Sequence, residues 1–272
     1  MRARADRNTG KLRKNIMLAI ERKNEILDKL RAEQRVLVSD LAAHYNVTEE
    51  TIRRDLDKLE KEGYATKTYG GAILGNSTKT DLSYTIRNKT NVDAKTQIAL
   101  LAAALVEDGD HLMLDDSSTS LYLAKKLKDK KNLTVITNSV ELVVELSGVE
   151  GWNIMLTGGR LKPDSLALIG DQTQQMLHRF HVDTAIMSCK GIDMASGVTD
   201  SSEFHSQTKQ SMISCARKRI LIVDNSKFDK VSFIDIAPIE TYDIVVTNTA
   251  PSREWLQYFA DHNVACLYPG AN

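Results

Sequence analysis

VTEETIRRDLDKLEKEGYATKTYGGA, residues 47–72, joins an amphipathic segment to a short ribbon that ends in two glycines before the final alanine. Its apolar residues Ile52, Leu56 and Leu59 recur at intervals of four and three, which predicts one buried face of an α-helix. The residues between them are almost all charged. The segment is therefore predicted to form a helix with a single buried side.

The opposite side of this helix is cationic. At about 100° per residue, Arg54 and Lys58 lie roughly opposite the apolar residues. Thr51 and Arg53 lie on the two flanks, and Thr48 is a candidate N-cap. Cationic and hydroxyl-bearing side chains on the open side of a short helix suit the DNA major groove. A solvated charged helix is the alternative, and the preceding residues help to separate the two.

Two further helices are predicted before this one. Apolar residues at helical spacing indicate the first within residues 21–33, and the second runs from Ser39, a candidate N-cap, to Tyr45. Asn46 then supplies a turn residue that tolerates a left-handed backbone. A helix, a tight turn and a second helix make a helix-turn-helix motif, in which the second helix reads the DNA.

The ribbon from Tyr64 to Tyr69 alternates in character and ends in Gly70-Gly71, which predicts a small hairpin wing. Lys67 on this wing can reach a phosphate group. Three helices followed by a wing predict a winged helix-turn-helix domain that binds double-stranded DNA.

The net charge of zero hides an asymmetry between the two parts of the chain. Residues 1–74 hold 16 Lys and Arg against 12 Asp and Glu, and the remainder holds 20 against 24. Positive charge therefore lies with the predicted DNA reader, and the larger part has no general affinity for polyanions.

Composition along the chain predicts four segments. They are a basic, disordered arm over 1–20, the winged helix-turn-helix domain over 21–74, a linker over 75–91 and an effector-binding domain over 92–272. No apolar run approaches the roughly 18 residues of a membrane span, so no membrane association is expected. The three cysteines are scattered, which suits a reduced cytoplasm and predicts no metal site.

The larger domain repeats one theme, in which a short apolar run ends in small or polar residues. These runs are LMLDDSST, VITNS, IMLTGG, AIMSCKG, LIVDNSK and IVVTN. Segments with helical periodicity separate most of them, which predicts an α/β structure with a mainly parallel sheet. Ligands of such sheets bind beyond the carboxyl ends of the strands.

The strand ends carry the candidate ligand-binding groups. Ser117, Ser118 and Thr119 precede a predicted helix, where hydroxyl and free amide groups can hold a phosphate. Simple capping of that helix is the alternative. The turns at 137–139 and 157–160 are further candidates, with capping or an ordinary turn as their alternatives. Two lysines, Lys95 and Lys227, can neutralise a phosphate but are individually explained as solvated surface residues.

From about Arg22 to Ala72 the chain resembles the DNA-binding domain of the DeoR family of bacterial transcription regulators, on the run TIRRDL, LEKEG and GGA. The resemblance implies DNA contacts by residues of the reading helix and the wing. These are Thr48, Thr51, Arg53, Arg54, Lys58, Lys67 and Tyr69. The family usually has arginine and histidine at the two wing positions, so the phosphate contacts of this wing are expected to differ.

The rest of the chain resembles the effector domain of the same family, on the runs DGD, VITNS, LTGG, GID and VDNSKF. That domain is similar in fold to ribose-5-phosphate isomerase, and its usual ligands are sugar phosphates. The resemblance implies an effector site made from residues at the strand ends. These are Lys95, Ser117, Ser118, Thr119, Thr137, Asn138, Gly158, Gly159 and Lys227.

One departure from the family bears on the ligand. Ser117 stands where the family commonly has glycine, which narrows the approach to the backbone and adds a donor. The Ser-Ser-Thr turn, together with SCKGID, resembles the branch that regulates the use of deoxyhexoses such as L-fucose.

These features predict a DNA-binding transcriptional regulator, a homodimer or tetramer without cofactor, metal or catalytic residues. A phosphorylated sugar would control operator binding, with repression of a sugar-utilisation operon the expected sign and activation of a deoxyhexose operon the alternative. A sugar-phosphate isomerase with an appended DNA-binding module is a rival hypothesis, with Asp200 and Glu203 as its candidate acids. A third hypothesis makes the large domain a structural platform for dimerisation.

Overall fold

The computed structural model describes residues 19–33, 35–61, 64–74 and 84–271. The chain forms two compact units that divide between residues 76 and 77. Most of the predicted arm, residues 1–18, and residues 75–83 of the predicted linker lie outside the described residues. Within the described part, no helix has both the length and the apolar composition needed to cross a membrane.

The described part of the N-terminal unit contains three helices and a three-stranded antiparallel sheet in which β3 lies between β1 and β2. Its elements in chain order are α1 (Ala19–Glu33), β1 (Arg35–Leu37), α2 (Val38–Tyr45), α3 (Glu49–Lys61), β2 (Ala65–Thr68) and β3 (Gly71–Leu74). Ile52, Leu56 and Leu59 are buried against apolar residues of α1 and the sheet, which confirms the predicted apolar face. The predicted winged helix-turn-helix is therefore present.

The N-termini of α3 and α2 test two N-cap predictions, of which one is confirmed and one is wrong. Thr48 Oγ1 accepts a hydrogen bond of 3.3 Å from the amide of Thr51, which confirms Thr48 as the N-cap of α3. The prediction for Ser39 is wrong, because α2 begins one residue earlier, at Val38, and no side chain in the described residues caps it. The amide of Val38 instead donates to the carbonyl of Gly70 in the wing, 2.9 Å away.

The C-terminal unit is built on a seven-stranded, entirely parallel sheet, in the order β15-β14-β12-β9-β4-β5-β6. Its strands are β4 (His111–Leu114), β5 (Thr134–Thr137), β6 (Asn153–Leu156), β9 (Val182–Met187), β12 (Ala216–Ile222), β14 (Ile244–Val246) and β15 (Ala265–Leu267). Six of the seven contain the apolar runs described above. The predicted parallel α/β fold is confirmed.

Helices and short antiparallel strands complete this unit. The helices are α4 (Tyr84–Lys89), α5 (Val92–Ala103), α6 (Ser118–Lys126), α7 (Val140–Leu146), α8 (Asp171–Leu177), α9 (Glu203–Cys215) and α10 (Arg253–Asp261). The short strands are β7 (Arg160–Lys162), β8 (Ala167–Ile169), β10 (Gly191–Asp193), β11 (Gly197–Asp200) and β13 (Ile234–Ala237). Along β4, Met113 enters one hydrophobic core while Leu112 and Leu114 enter another, because alternate residues of a strand face opposite sides.

The second half of the predicted linker has regular structure. Tyr84 begins helix α4 and is buried, and its amide donates to the carbonyl of Asp164, 2.7 Å away. Asn91 ends the segment in a left-handed conformation, with φ of 52°. The C-terminal unit thus includes residues 84–91, because the aromatic ring of Tyr84 finds a place in its core.

Candidate functional site

The predicted reading face of α3 is open to solvent. Arg53, Arg54 and Lys58 are exposed, and Thr51 is half-buried. Arg53 Nη2 lies 2.7 Å from Glu49 Oε2 and Arg54 Nε lies 3.5 Å from Glu50 Oε1. Exposed pairs at this spacing contribute only about 0.3–0.5 kcal/mol, so both guanidinium groups can exchange a carboxylate for a DNA partner.

The wing presents one cation and one aromatic ring beside this helix. Lys67 Nζ pairs with the carboxylate of Asp57, and its amide donates to Glu60 Oε1 at 2.8 Å. Tyr69 lies fully exposed at the hairpin tip. Lys67 is therefore attached to α3 in the free protein, and a phosphate has to compete with Asp57 for it.

A buried ion pair supports the reading helix from behind. Arg22 Nε of α1 lies 2.7 Å from Asp55 Oδ2 of α3, and both side chains are less than a tenth exposed. Asp55 lies three residues after Ile52 and four before Leu59, so its position on the buried face was readable from the helical period. This acid inside TIRRDL was missed because charged residues were assumed to face solvent.

A pocket in the C-terminal unit lies where the carboxyl ends of β12, β9 and β4 stand side by side. The empty space inside it, counting the part that is open to solvent, is about 810 Å³. Five predicted residues line it, namely Lys95, Ser117, Ser118, Thr119 and Lys227. The other lining residues are Arg87, Thr90, Asn91, Asp116, Ser188, Cys189, Lys190, Asp200, His205, Lys209, Asp224 and Ser226.

Four predicted residues are not part of this lining. Thr137 Oγ1 accepts from the amide of Ser139 at 3.1 Å. Asn138 is buried and donates to Asp116 and to the carbonyl of Leu168, so it supports the pocket from behind. Thr137 and Asn138 thus organise the backbone after β5.

Gly158 and Gly159 belong to the turn after β6. The carbonyl of Gly158 accepts from Thr173 Oγ1 at 2.7 Å. Gly159 has φ of 128°, and a Cβ there would collide with the same hydroxyl group. Close packing against α8 therefore explains Gly159, whereas a Cβ at Gly158 would meet no atom within 4 Å.

Helix α6 directs its N-terminus into the pocket. Ser117 Oγ accepts a hydrogen bond of 3.0 Å from the amide of Ser120, so Ser117 is the N-cap, the alternative considered above. Ser118 and Thr119 form the first turn, where helix amides have no partner within the helix. Their amide and hydroxyl groups can bind an anion.

A lysine and two carboxylates form a buried network at the inner end. Lys209 Nζ contacts the carboxylate of Asp200 and lies 3.6 Å from Asp115 Oδ2. Burial alone would lower the pKa of Lys209, but the two carboxylates more than offset it and that pKa lies above its usual range. Burial would likewise raise the pKa of Asp200, and the charge of Lys209 holds it below its usual range.

A histidine-carboxylate pair lies beside this network. His205 Nδ1 lies 3.2 Å from Asp116 Oδ1, and the opposite ring nitrogen lies 3.4 Å from Lys162 Nζ. Burial would raise the pKa of Asp116, but His205 outweighs it and holds that pKa well below its usual range. Asp116 is therefore an ionised carboxylate on the pocket wall, able to accept hydrogen bonds from ligand hydroxyl groups.

At the mouth, Lys95 is almost completely buried. Its Nζ donates to the carbonyls of Arg87 and Thr90, the latter 2.6 Å away. Burial lowers the pKa of Lys95 to about 8, although the charge of Asp224 acts in the opposite direction. Five Lys and Arg residues line the pocket against three Asp, an excess that suits an anionic ligand.

Sequence reasoning missed the residues that helix α9 contributes. His205 and Lys209 are four apart on one face of α9, and both point into the pocket. Their spacing was visible, but no local signal indicated which face of α9 meets the strand ends. Ser188 to Lys190 follow β9 as the other sites follow their strands, so the strand-end argument could have included them.

Two domain models match the chain. A model of the DeoR C-terminal sensor domain matches residues 90–249, and a model of the DeoR-like helix-turn-helix domain matches residues 22–78. The fold is also similar to ribose-5-phosphate isomerase A of Methanocaldococcus jannaschii, with 19% identity and a TM-score of 0.38 over 51% of this chain and 55% of that chain. A similarity this weak supports no functional argument.

Curated relatives cover nearly the whole chain. An uncharacterised HTH-type transcriptional regulator of Bacillus subtilis, YulB, is 38% identical over 86% of this chain and 90% of its own. The B. subtilis repressor GlcR is 35% identical over 91% and 95%, and a putative aga operon repressor of Escherichia coli O157:H7 is 30% identical over 92% and 94%. With both domain models in this order, the chain belongs to the DeoR family and is a DNA-binding transcriptional regulator with a C-terminal sensor domain.

Proposed function

We propose that this protein represses a sugar-utilisation operon in the cytoplasm and that a phosphorylated sugar in the pocket controls its binding to the operator. The observation that carries the ligand class is a pocket lined by a helix N-terminus, five Lys and Arg residues and buried carboxylates. Relatives named as repressors support the sign of regulation. The effector can shift DNA binding only as far as it prefers one state, typically by about 1–3 kcal/mol.

In this proposal the phosphate and the sugar hydroxyls of the ligand contact different groups of the pocket. The phosphate contacts Ser118 and Thr119 at the start of α6, with Lys95 and Lys227 as counter-charges. The sugar hydroxyls lie toward Asp116, whose ionised carboxylate accepts their hydrogen bonds. A pocket that is lined by both cations and carboxylates fits a ligand with an anionic phosphate at one end and hydroxyl groups at the other.

On DNA, the reading helix of each subunit enters a major groove and the wing approaches the backbone. A homodimer or tetramer would place two such helices about 34 Å apart. The contacting residues in this proposal belong to the reading helix with its N-cap and to the wing: Thr48, Thr51, Arg53, Arg54, Lys58, Lys67 and Tyr69.

Replacing Arg54 with Ala tests the reading helix. We expect a loss of about 1–3 kcal/mol in binding to a duplex that the protein itself selects from random sequence, with relaxed preference at one base pair. Fluorescence anisotropy with selected and random duplexes at one salt concentration measures both effects. Lys29→Ala, which removes a charge from α1, is the control and is expected to weaken both duplexes slightly and equally. An equal loss on both duplexes for Arg54→Ala would reduce this residue to a phosphate contact.

Replacing Lys227 with Ala tests the effector site. Phosphorylated sugars are screened for release of the wild-type protein from its selected duplex. We expect Lys227→Ala to keep its DNA affinity and to need about tenfold or more of the active sugar, since a charge-assisted hydrogen bond contributes about 1.5–3 kcal/mol. Lys230→Ala, exposed and outside the pocket, is expected to respond as the wild type does. Loss of DNA binding by Lys227→Ala would argue against this pocket.

The isomerase hypothesis finds little support in the geometry. Aldose–ketose isomerisation needs a carboxylate base with access to the substrate. Asp200 is paired with Lys209, which lowers its pKa and weakens it as a base. Glu203 is exposed, accepts a hydrogen bond from Gln207 at 3.2 Å and does not line the pocket. A pocket lined by charged residues also favours a ligand-sensing role for the large domain over a purely structural role in dimerisation.

A further inference from the structure

The segment 84–91, here named the strap, contributes three residues to the lining of the pocket. It comprises helix α4 and the turn that leads into α5. The buried ring of Tyr84 secures its beginning, and Tyr122 Oη of α6 donates to the carbonyl of Asn88 at 3.0 Å. At its end, Asn91 Nδ2 donates to Asp224 Oδ1 at 3.3 Å. These contacts hold the strap at its beginning, near its middle and at its end.

Lys95 both contacts the strap and lines the pocket. Its Nζ donates to the carbonyls of Arg87 and Thr90, at the end of α4 where helix carbonyls have no partner within the helix. The same side chain lines the pocket. A cation at this position can bind the carbonyls of the strap and an anionic ligand at the same time.

The strap also supplies pocket wall of its own. Arg87, Thr90 and Asn91 line the pocket, and Ser118 and Lys227 line it from the body of the domain. An anion bound among these groups contacts both parts and reduces the repulsion between the cations. It also favours the charged form of Lys95, whose pKa is lowered by burial, and charged donors make stronger hydrogen bonds to carbonyls.

We propose that the bound anion fastens the strap to the body of the domain, with Arg87 as the residue of the strap that contacts it. Through the strap, binding of the ligand then affects the residues that precede it in the chain. The strap is the first described segment after β3, so among the described parts of the sensor unit it lies nearest in sequence to the DNA-binding unit. The inference rests on the proposed function, because it requires that the pocket take a phosphorylated ligand. It adds which segment responds to that ligand.

Hydrogen–deuterium exchange of the full-length protein tests this, with inorganic phosphate as the probe and chloride at equal ionic strength as the reference. Peptides covering 84–91 report the strap, and peptides covering 116–121 report the start of α6. At ten times its dissociation constant, an anion that binds only the fastened state slows exchange about tenfold. We expect phosphate to slow exchange in both peptides.

Two variants make the test specific to the strap. Arg87→Gln is expected to keep the protection of 116–121 at saturating phosphate and to lose that of 84–91. Lys89→Gln removes the same charge from an exposed residue of the strap that does not line the pocket, and is expected to keep both. Strap protection that persists in Arg87→Gln would overturn the proposal.

Different results would contradict the strap proposal and the proposed anion site. Protection of 116–121 without protection of 84–91 in the wild type would overturn the strap as the responding segment and leave the anion site in place. Absence of protection in both peptides would overturn the anion site, and the strap proposal with it.

Discussion

Lys209→Met is expected to destabilise the C-terminal unit by about 3–5 kcal/mol at pH 7, because it leaves buried carboxylates without their counter-charge. Lys209 is buried, and its ammonium group lies between the carboxylates of Asp200 and Asp115. The methionine side chain occupies a similar volume, so loss of packing adds little. Both tryptophans, Trp152 and Trp255, lie in this unit, so thermal unfolding followed by tryptophan fluorescence reports it selectively.

The effect of Lys209→Met depends on pH in a definite direction. In the wild type, Asp200 has a lowered pKa, so it stabilises the fold above its unfolded pKa and loses that contribution as the pH falls. In the variant, burial without Lys209 raises the pKa of the carboxylates, and protonation then relieves the cost. The stability difference between the two proteins is therefore expected to narrow as the pH falls from 7 toward about 5.

Lys218→Met is the matched control for this experiment. Lys218 is exposed on β12, and its replacement is expected to leave the unfolding midpoint unchanged at each pH. A pH-independent loss in Lys209→Met would mean that the lysine contributes through packing, and the assigned network of charges would be wrong.

Asp55→Ala is expected to unfold most of the N-terminal unit and with it to remove DNA binding. It leaves Arg22 buried and unpaired, which costs about 3–5 kcal/mol. A domain of this size seldom has more than about 3–5 kcal/mol of stability to lose. Circular dichroism at the helix band detects the loss, and tryptophan fluorescence is expected to show the C-terminal unit intact.

Two further variants separate this pair from surface charges. Arg22→Met with Asp55→Leu removes both charges together, and we expect it to restore folding because no buried charge remains unpaired. Asp57→Ala breaks only the exposed pair with Lys67, and its unfolding midpoint is expected to match the wild type. If Asp55→Ala unfolded at the wild-type midpoint, the buried pair would not be needed for the reading helix.

The reading helix and the parallel strands were predictable because their signals are local. Ile52, Leu56 and Leu59 mark a helical face within eight residues, and apolar runs of about four residues mark buried strands. Strand β1 was missed because three residues are too few to establish a period, and its pairing with β3 is made across the chain. Helix α4 was missed for a related reason, since its six residues have polar flanks typical of a linker.

The pocket was partly predictable. The strand-end rule selected Ser118, Thr119 and Lys227 correctly as neighbours, because parallel strands bring their carboxyl ends to one edge of the sheet. It also selected Thr137, which ends β5, and Gly158, which follows β6. Both strands lie on the far side of β4 from β9 and β12. Strand order separates these groups, and strand order is set by long-range packing.

The sequence by itself determined the family, the two kinds of domain and the cationic face of the reading helix, because each depends on residue types at short spacing. Only the tertiary structure decided which charges are paired: Asp55 with Arg22, Lys209 with Asp200, and His205 with Asp116. These partners are separated by 33, 9 and 89 positions in the chain. Whether a charged side chain faces water or a buried partner depends on how whole elements pack, and local periodicity does not record that.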